Sequence, residues 1–269
     1  MTGRADGPDP FPVVPVPPGR LDLWLVRGPR GNGAAAPGLP GLGLPDLDDA
    51  ERRRAGSFVR PDQALLYATA HVALRRLLGR YTGTAPRDLR FVRESCPRCG
   101  EAHGRPALAR SGPSPPPHFS LSHSAGLALV GVAAVPVGVD VERLPRGETV
   151  EVCTPALHPR ERAELARASR EERNELFGRL WTRKEAYLKG TGTGLRRPPA
   201  HDYLGADRSG HPPGWAVLDV VCPPTHTAAA AVRGPAPRTV EVRRLHLTAD
   251  ALATPAAARP RKVHPPCPE

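Results

Sequence analysis

The sequence predicts an α+β protein made of two similar halves that meet near residue 136. An early strand is followed by a long amphipathic helix and further strands, and a comparable order of elements returns after Pro136. The apolar residues repeat with the periods of short strands and of helices. We find no internal sequence repeat, so the similarity concerns only the order of the elements.

Composition predicts a folded centre with loose ends. The 269 residues include 35 prolines and 27 glycines, and the prolines are unevenly spread. We expect disordered segments at 1–20 and 253–269, because Pro-rich stretches without apolar periodicity cannot bury enough surface to fold. The N-terminal half is then 21–136, and the C-terminal half is 137–252.

The first half begins with a strand at Leu21–Val26, where apolar and polar residues alternate. Leucine and alanine recur at helical spacing along Asp62–Leu78, which predicts an amphipathic helix. Three strands complete this half, at Leu89–Val92, His118–Ser122 and the largely buried Leu127–Val135.

The second half opens with a strand at Val137–Val141, directly after Pro136. Two helices follow at His158–Ala168 and Glu171–Gly190, and Gly190 is predicted to end the second one. The remaining apolar runs predict three strands, Trp215–Cys222, Thr227–Val232 and Thr239–Leu247.

The net charge is +11, yet the chain has just three lysines among its basic residues. The arginine excess is explained by a GC-rich coding bias or by attraction to polyanions and acidic proteins. Aromatic and basic residues do not interleave as in single-strand nucleic-acid binders.

The sequence also bears on the cellular compartment. Neither a secretory h-region nor an apolar run of membrane-spanning length occurs, and the five cysteines are irregularly spaced, so we expect a reducing cytoplasm.

Two carboxylates stand two residues apart in the segment Gly138–Glu142. On a strand, Val139 and Val141 would enter the core, while Asp140 and Glu142 would share the other face. Adjacent carboxylates repel unless a cation neutralises them, and Mg²⁺ prefers such oxygen ligands. An ordinary solvated strand face is the alternative.

A further acidic residue, Glu185, lies near two lysines in the segment Trp181–Lys189. Glu185 and Lys189 are four residues apart and would share a helix face. The alternative is a surface ion pair of small energy. The chain otherwise favours arginine, so lysine at 184 and 189 indicates a chemical requirement, since lysine can donate its proton whereas arginine cannot.

Two further segments carry polar side chains. Phe119–Ser124 contains Ser122 and His123, which can bond phosphate oxygens or form a local turn. Cys96 and Cys99 have the spacing of two zinc ligands, with His103 as a third. No second close cysteine pair follows, so we favour a turn before Gly104–Pro106.

These pieces occur in one order, namely Gly104–Pro106, Phe119–Ser124, Gly138–Glu142 and Trp181–Lys189. The series resembles the phosphopantetheinyl transferases of the surfactin-synthetase-activating type, which show G-K-P-like, F-N-x-S-H-S-like, G-[IV]-D-[IV]-E and W-x-x-K-E-[AS]-x-x-K segments. The resemblance covers roughly residues 51 to 195. Each motif alone is weak, and the ordered set is specific.

The resemblance implies two pseudo-twofold-related α+β halves with coenzyme A in the cleft between them. It implies Mg²⁺ bound by Asp140, Glu142 and Glu185, with Glu185 as general base and Lys189 assisting the leaving group. Arg75, on the first predicted helix, matches a frequent family arginine, for which a structural role stays open. The coenzyme's phosphates would be bound by Arg54, Arg105, Ser122, His123, Lys184 and Lys189.

Two departures from the family pattern stand out. Ser120 replaces a frequent asparagine, which matters little. Leu66 and Tyr67 occupy positions where some relatives carry a basic and a hydroxyl residue near the nucleotide. The contacts to the adenosine end are therefore left without a prediction.

The resemblance implies a monomeric enzyme that moves 4′-phosphopantetheine from coenzyme A to a serine of an acyl or peptidyl carrier protein, releasing 3′,5′-ADP. Neither nucleic acid nor membrane is an expected partner. The carrier's pathway, whether fatty-acid, polyketide or nonribosomal-peptide synthesis, stays open. The alternatives are another Mg²⁺-dependent enzyme acting on phosphates and a basic nucleic-acid-binding protein.

Overall fold

The computed structural model describes residues 15–29, 44–110 and 115–254. Within these ranges the chain is α+β, as predicted, with helices packed on antiparallel-rich sheets. None of the helices in the described ranges combines the length and the apolar character needed to cross a membrane.

The first half is a sheet covered by one long helix. Strands β1 (Arg20–Arg27), β4 (His118–Ser124) and β5 (Leu127–Ala133) lie in the order β4-β5-β1 with antiparallel pairing. Helix α2 (Pro61–Thr82) packs on this sheet through leucine and alanine side chains. The smaller elements are helix α1 (Asp49–Gly56) and a two-stranded hairpin of β2 (Phe91–Arg93) and β3 (Pro106–Leu108).

The second half repeats the arrangement of sheet and helix. Strand β6 (Val137–Arg143) pairs with β8 (His226–Arg233), which pairs in turn with β7 (Trp215–Asp219). Helix α5 (Arg170–Thr191) packs against β6 and β8, and the shorter helices are α3 (Gly147–Cys153) and α4 (Pro159–Arg167). The predicted boundary near residue 136 falls between β5 and β6.

Strand β9 (Thr239–His246) corrects the predicted division of the chain. It was assigned to the second half, but it pairs with β1 in parallel and completes the first sheet. Helix α6 (Ala249–Ala253) follows, and Leu252 is buried against the first half. The predicted division into halves otherwise stays a prediction.

The segments predicted to be disordered lie mostly outside the described residues. The exceptions are 15–20 and 253–254. Arg20 already pairs with Thr239, and Ala253 ends helix α6. At these few positions the predicted disorder is wrong, because a neighbouring strand or a buried leucine holds the chain.

The two sheets share one core. Leu21, Leu23 and Leu129 of the first sheet pack with Val139 and Val141 of β6, and all five are almost fully buried. Burying this much leucine and valine surface favours the folded state by roughly 25 cal/mol per Å² removed from water. The two halves are therefore held together by their apolar sheet faces.

The end of helix α5 differs from the prediction. The helix ends at Gly192, whose φ of 78° is a left-handed conformation that glycine adopts without strain. Gly190 is buried inside the last turn, and a Cβ there would lie 2.7 Å from the Trp215 ring. Gly190 therefore allows close packing against β7 rather than stopping the helix.

Helix α1 was not predicted, although the sequence contains its start signal. Asp48 accepts from the Glu51 backbone N–H at 2.9 Å, and Glu51 accepts from the Asp48 N–H at 3.0 Å. This reciprocal pair is a capping box, readable as an acidic N-cap followed three residues later by glutamate.

Candidate functional site

A cleft of about 1060 Å³ lies between the two halves. One wall comes from α1, α2 and β4, and the other comes from the C-terminal end of α5 and the turn after it. Five of the six residues predicted to bind the coenzyme line this cleft, namely Arg54, Arg105, Ser122, His123 and Lys189.

Strand β6 places its carboxylates as the alternation predicted. Val139 and Val141 enter the core, whereas Asp140 contacts residues of β4 and α5 on the other face. Asp140 is 1% exposed, and its Oδ1 accepts from Ser122 Oγ at 2.7 Å and from Lys189 Nζ at 2.6 Å. Its Oδ2 is buried and has no hydrogen-bond partner in the described part of the chain.

Glu142 and Glu185 are half-buried beside Asp140. Burial, followed by the charge of Asp140, raises the pKa of Glu185. Burial is also the largest cause that raises the pKa of Glu142, against a hydrogen bond from Ser124 that lowers it. Burial disfavours the ionised form of each group, and the neighbouring carboxylates add to this effect.

This arrangement fits a divalent cation. A buried carboxylate oxygen without a partner is costly, and a hard cation with oxygen ligands removes that cost. The carboxylates are not gathered around a common point in this structure, and Asp140 forms an ion pair with Lys189. Among the described residues, the side chains whose ligand atoms lie close enough together to bind a metal are instead Cys96, Cys99 and His103.

Strand β4 presents Ser122 and His123 to the cleft. Burial, followed by the electrostatic influence of the nearby His71 and Lys189, lowers the pKa of His123. The lowered pKa favours the neutral ring, which contributes hydrogen bonds rather than charge.

Arg105 lies at the junction of the two halves. Its guanidinium donates to Glu94 Oε2 at 2.9 and 2.5 Å and to the Gly190 carbonyl oxygen at 2.9 Å. The residue therefore ties the hairpin of β2 and β3 to the last turn of α5 while lining the cleft.

Lys184 does not reach the cleft, and its predicted part in phosphate binding is not supported by its position. Its side chain is 2% exposed, and Nζ lies 2.8 Å from Glu161 Oε2 of α4. Nζ also donates to the carbonyl oxygens of Pro199 and Asp202 at 2.8 and 2.6 Å. The contact to Glu161 comes from a distant helix, which the local motif did not reveal.

One wall of the cleft contains His71 and Glu51, which the sequence motifs did not indicate. Tyr67 and His71 stack with ring centroids 4.0 Å apart, and His71 Nδ1 lies 3.2 Å from Glu51 Oε1. Tyr67, His71 and Arg75 are spaced four apart on α2, a signal that they share one face. Arg75 is fully buried and donates to Glu51 and Asp48, so its role is structural.

Ser122 and Lys189 line the cleft and also bond to Asp140, so the carboxylate cluster lies next to the cleft, although Asp140, Glu142 and Glu185 are not among the residues that line it. Hydrogen-bond donors and arginines next to a carboxylate cluster with a lysine are an arrangement typical of enzyme sites that bind charged groups.

The comparisons with known proteins identify which enzymes of this kind the chain belongs with. Residues 136–217 match the model of the 4′-phosphopantetheinyl transferase superfamily. The chain is 31% identical over 194 residues to the 4′-phosphopantetheinyl transferase HetI of Nostoc sp., covering 70% of this chain and 79% of that protein. The chain belongs to the 4′-phosphopantetheinyl transferase superfamily and is a transferase.

Two further relatives match over shorter stretches. The 4′-phosphopantetheinyl transferase Sfp of Bacillus subtilis is 24% identical over 152 residues, which cover 56% of this chain and 63% of Sfp. The 4′-phosphopantetheinyl transferase gsp of Aneurinibacillus migulanus is 31% identical over 81 residues, which cover 30% of this chain and 34% of the relative. The family resemblance inferred from the four motifs is confirmed.

Proposed function

We propose that this chain moves the 4′-phosphopantetheine arm of coenzyme A to a serine hydroxyl of a carrier protein domain and releases 3′,5′-ADP. The observation that carries the proposal is the buried Asp140, held between Ser122 and Lys189 with one oxygen left unpartnered beside the cleft. Family membership supports the transferred group, and the site supports the chemistry.

Asp140, Glu142 and Glu185 are the proposed ligands of Mg²⁺. Their excess negative charge and the free oxygen of Asp140 favour a hard cation. When bound, the ion supplies positive charge to the diphosphate of coenzyme A, which is the charge stabilisation that phosphoryl transfer needs.

Arg54, Arg105, Ser122 and His123 are the proposed coenzyme-binding residues. They line a cleft large enough for a nucleotide with a long arm. Arginine can bind phosphate through two parallel hydrogen bonds. In this structure, two nitrogens of Arg105 donate to a single oxygen, Oε2 of Glu94. Tyr67 also lines the cleft and offers an aromatic ring. We propose it as a contact of the adenosine end of coenzyme A, for which the sequence made no prediction.

Glu185 and Lys189 are the proposed proton-handling groups. The raised pKa of Glu185 brings the carboxylate closer to neutral pH, where a base both exists ionised and accepts a proton effectively. As the serine oxygen bonds to phosphorus, the serine proton passes to Glu185, and the bond from phosphorus to the leaving 3′,5′-ADP breaks. Lys189 stabilises the charge on that departing phosphate.

An acyl or peptidyl carrier domain is the proposed acceptor, and the surfactin-synthetase-activating type is the proposed subtype. The match to Sfp supports the subtype. A cytoplasmic location is part of the proposal and rests on the sequence, whose cysteines are irregularly spaced.

The test is transfer from coenzyme A to a purified apo-carrier, followed as the carrier's mass gain. Asp140→Asn and Glu185→Gln are expected to lower the rate by about 100-fold or more, because each removes a charge or base used in the reaction. The matched control is Glu175→Gln, an exposed residue of the same helix. Circular dichroism checks that each variant folds.

Wild-type rates in either site variant would contradict the assignment. Hydrolysis of coenzyme A without any gain on the carrier would favour the alternative, a different enzyme acting on phosphates. A panel of apo-carriers from fatty-acid, polyketide and nonribosomal-peptide systems then ranks the acceptors by kcat/KM.

A further inference from the structure

The loop between β2 and β3 gathers three side chains that the transfer reaction does not use. Each of Cys96, Cys99 and His103 offers one ligand atom, a sulfur from each cysteine and a ring nitrogen from the histidine. These three atoms all lie within 4.8 Å of one another. Cys99 Sγ is 2.9 Å from His103 Nε2. Cys96 is 1% exposed, whereas Cys99 is exposed, so the cluster has one buried and one open side.

The backbone of this loop builds the cluster. The Gly100 N–H donates to the Cys96 carbonyl at 2.8 Å, and the Cys96 N–H donates to the Glu101 carbonyl at 2.7 Å. Gly100 has a φ of 77°, the left-handed conformation that lets the chain reverse directly after Cys99. The two cysteines and the histidine therefore point to one side of a tight turn.

The surroundings of Cys96 favour the ionised form of its thiol. The backbone N–H groups of Arg98 and Cys99 donate to its sulfur, and these bonds are the largest causes that lower the pKa of the Cys96 thiol. Amides that point at a sulfur favour the thiolate, the form that binds metal. The geometry of the three ligand atoms stands independently of this effect.

Two thiolates and an imidazole select a particular kind of ion. Mg²⁺ and Ca²⁺ require oxygen ligands, whereas sulfur and nitrogen ligands in this spacing suit Zn²⁺. Tetrahedral zinc with bonds of about 2.0 to 2.3 Å keeps its ligand atoms about 3.5 to 3.8 Å apart. The three ligand atoms, all within 4.8 Å of one another, are within about 1 Å of that spacing.

We propose that Cys96, Cys99 and His103 bind one Zn²⁺ ion whose fourth position is filled by water or another exchangeable ligand. The site is separate from the carboxylates of Asp140, Glu142 and Glu185. The interpretation of this segment as a simple turn is thereby extended, because the turn itself brings the three ligands together.

The ion would fix the segment that carries Arg105. Gly104 follows His103, and a Cβ on Gly104 would lie 2.5 Å from the Glu94 carbonyl oxygen, so this part of the loop is tightly packed. Arg105 reaches from here to the Gly190 carbonyl of the second half. Zinc at the tip of the hairpin thus stabilises the part of the cleft wall that Arg105 belongs to.

Metal content of the untagged full-length protein, purified with a thiol reductant from zinc-containing medium, tests the proposal. We expect about one zinc per chain in the wild type, and a loss of at least about tenfold in Cys96→Ser, Cys99→Ser and His103→Asn. Cys153→Ser and Cys222→Ser are matched controls, since both cysteines lie outside the cluster, and each should keep its zinc.

Cobalt keeps the test valid if a variant fails to fold. Wild-type protein stripped by a chelator and titrated with Co²⁺ should show thiolate charge-transfer absorption and the visible bands of a tetrahedral site. The melting temperature of the stripped protein should fall and return with Zn²⁺ but not with Mg²⁺. No zinc in the wild type with no such cobalt spectrum, retention of zinc by Cys99→Ser, or a Cys96–Cys99 disulfide in the reduced preparation would each overturn the proposal.

Discussion

At the scale of single residues, two lysines of one motif have different surroundings. Lys189 lies at the cleft and bonds to Asp140, whereas Lys184 is buried against Glu161. The shared helix face of Glu185 and Lys189 was readable from their spacing of four residues. The partner of Lys184 was not readable, because it comes from another helix and from the carbonyls of a later loop.

Replacing Lys184 distinguishes a structural role from a role in phosphate binding. Lys184→Met leaves the Glu161 carboxylate buried without its counter-charge, so the free energy of unfolding should fall by about 3 kcal/mol. Denaturant titration measures this loss. Adding Glu161→Gln should recover part of it, since the amide still accepts from the Leu204 N–H that contacts Glu161 now.

The kinetic readout completes that test. In the folded variant, KM for coenzyme A and kcat for transfer should stay close to the wild-type values. A large rise in KM for coenzyme A without loss of stability would restore Lys184 to the coenzyme site.

At the scale of elements, the site depends on how closely helix α5 approaches strand β6. A Cβ on Gly138 would lie 2.0 Å from the Ala186 carbonyl oxygen and 2.3 Å from the Gly190 nitrogen. Because Gly138 and Gly190 have no side chain, α5 and β6 can approach closely, and Lys189 on the helix reaches Asp140 on the strand. The sequence indicated both elements, but Gly190 was interpreted as a helix stop, because its packing partner Trp215 is remote in the chain.

Gly138→Ala should separate the two elements. The added methyl has no room against backbone atoms, so we expect a loss of about 3 kcal/mol in the free energy of unfolding. The shift of α5 should lower kcat by about 100-fold, because small displacements of catalytic groups are costly. Thermal unfolding and the transfer assay measure the two effects.

Gly147→Ala is the control for that experiment, since a Cβ there would meet nothing within 4 Å. It should leave both stability and rate near the wild-type values. If Gly138→Ala behaves like this control, then the close contact between α5 and β6 does not position the site.

At the scale of the whole molecule, local patterns predicted the order of elements well and their pairing less well. Alternation and helical spacing indicated β1, α2, β6 and α5, which together carry most of the site. The return of β9 to the first sheet was not predicted, because strand pairing over such a separation leaves no local signal. The metal ligands Asp140 and Glu185 were assigned through the family motifs and stay a proposal.

The net charge of +11 is a property of the whole chain that the fold does not explain. It reflects either coding bias or attraction to an acidic partner, and the two explanations predict different salt dependence. Attraction between oppositely charged surfaces speeds encounter and weakens as the Debye length falls from about 10 Å at 0.1 M salt to about 3 Å at 1 M.

If an acidic carrier docks through charge, kcat/KM for the carrier should fall by about tenfold or more between low and high salt at saturating coenzyme A. The fall should appear in KM rather than in kcat, because charge acts on encounter and not on the positioned serine. A short, near-neutral acceptor peptide is the control, since its transfer shares the coenzyme site but not the docking surface. Equal salt slopes for carrier and peptide would leave coding bias as the explanation of the arginines, because screening would then act on the coenzyme site alone.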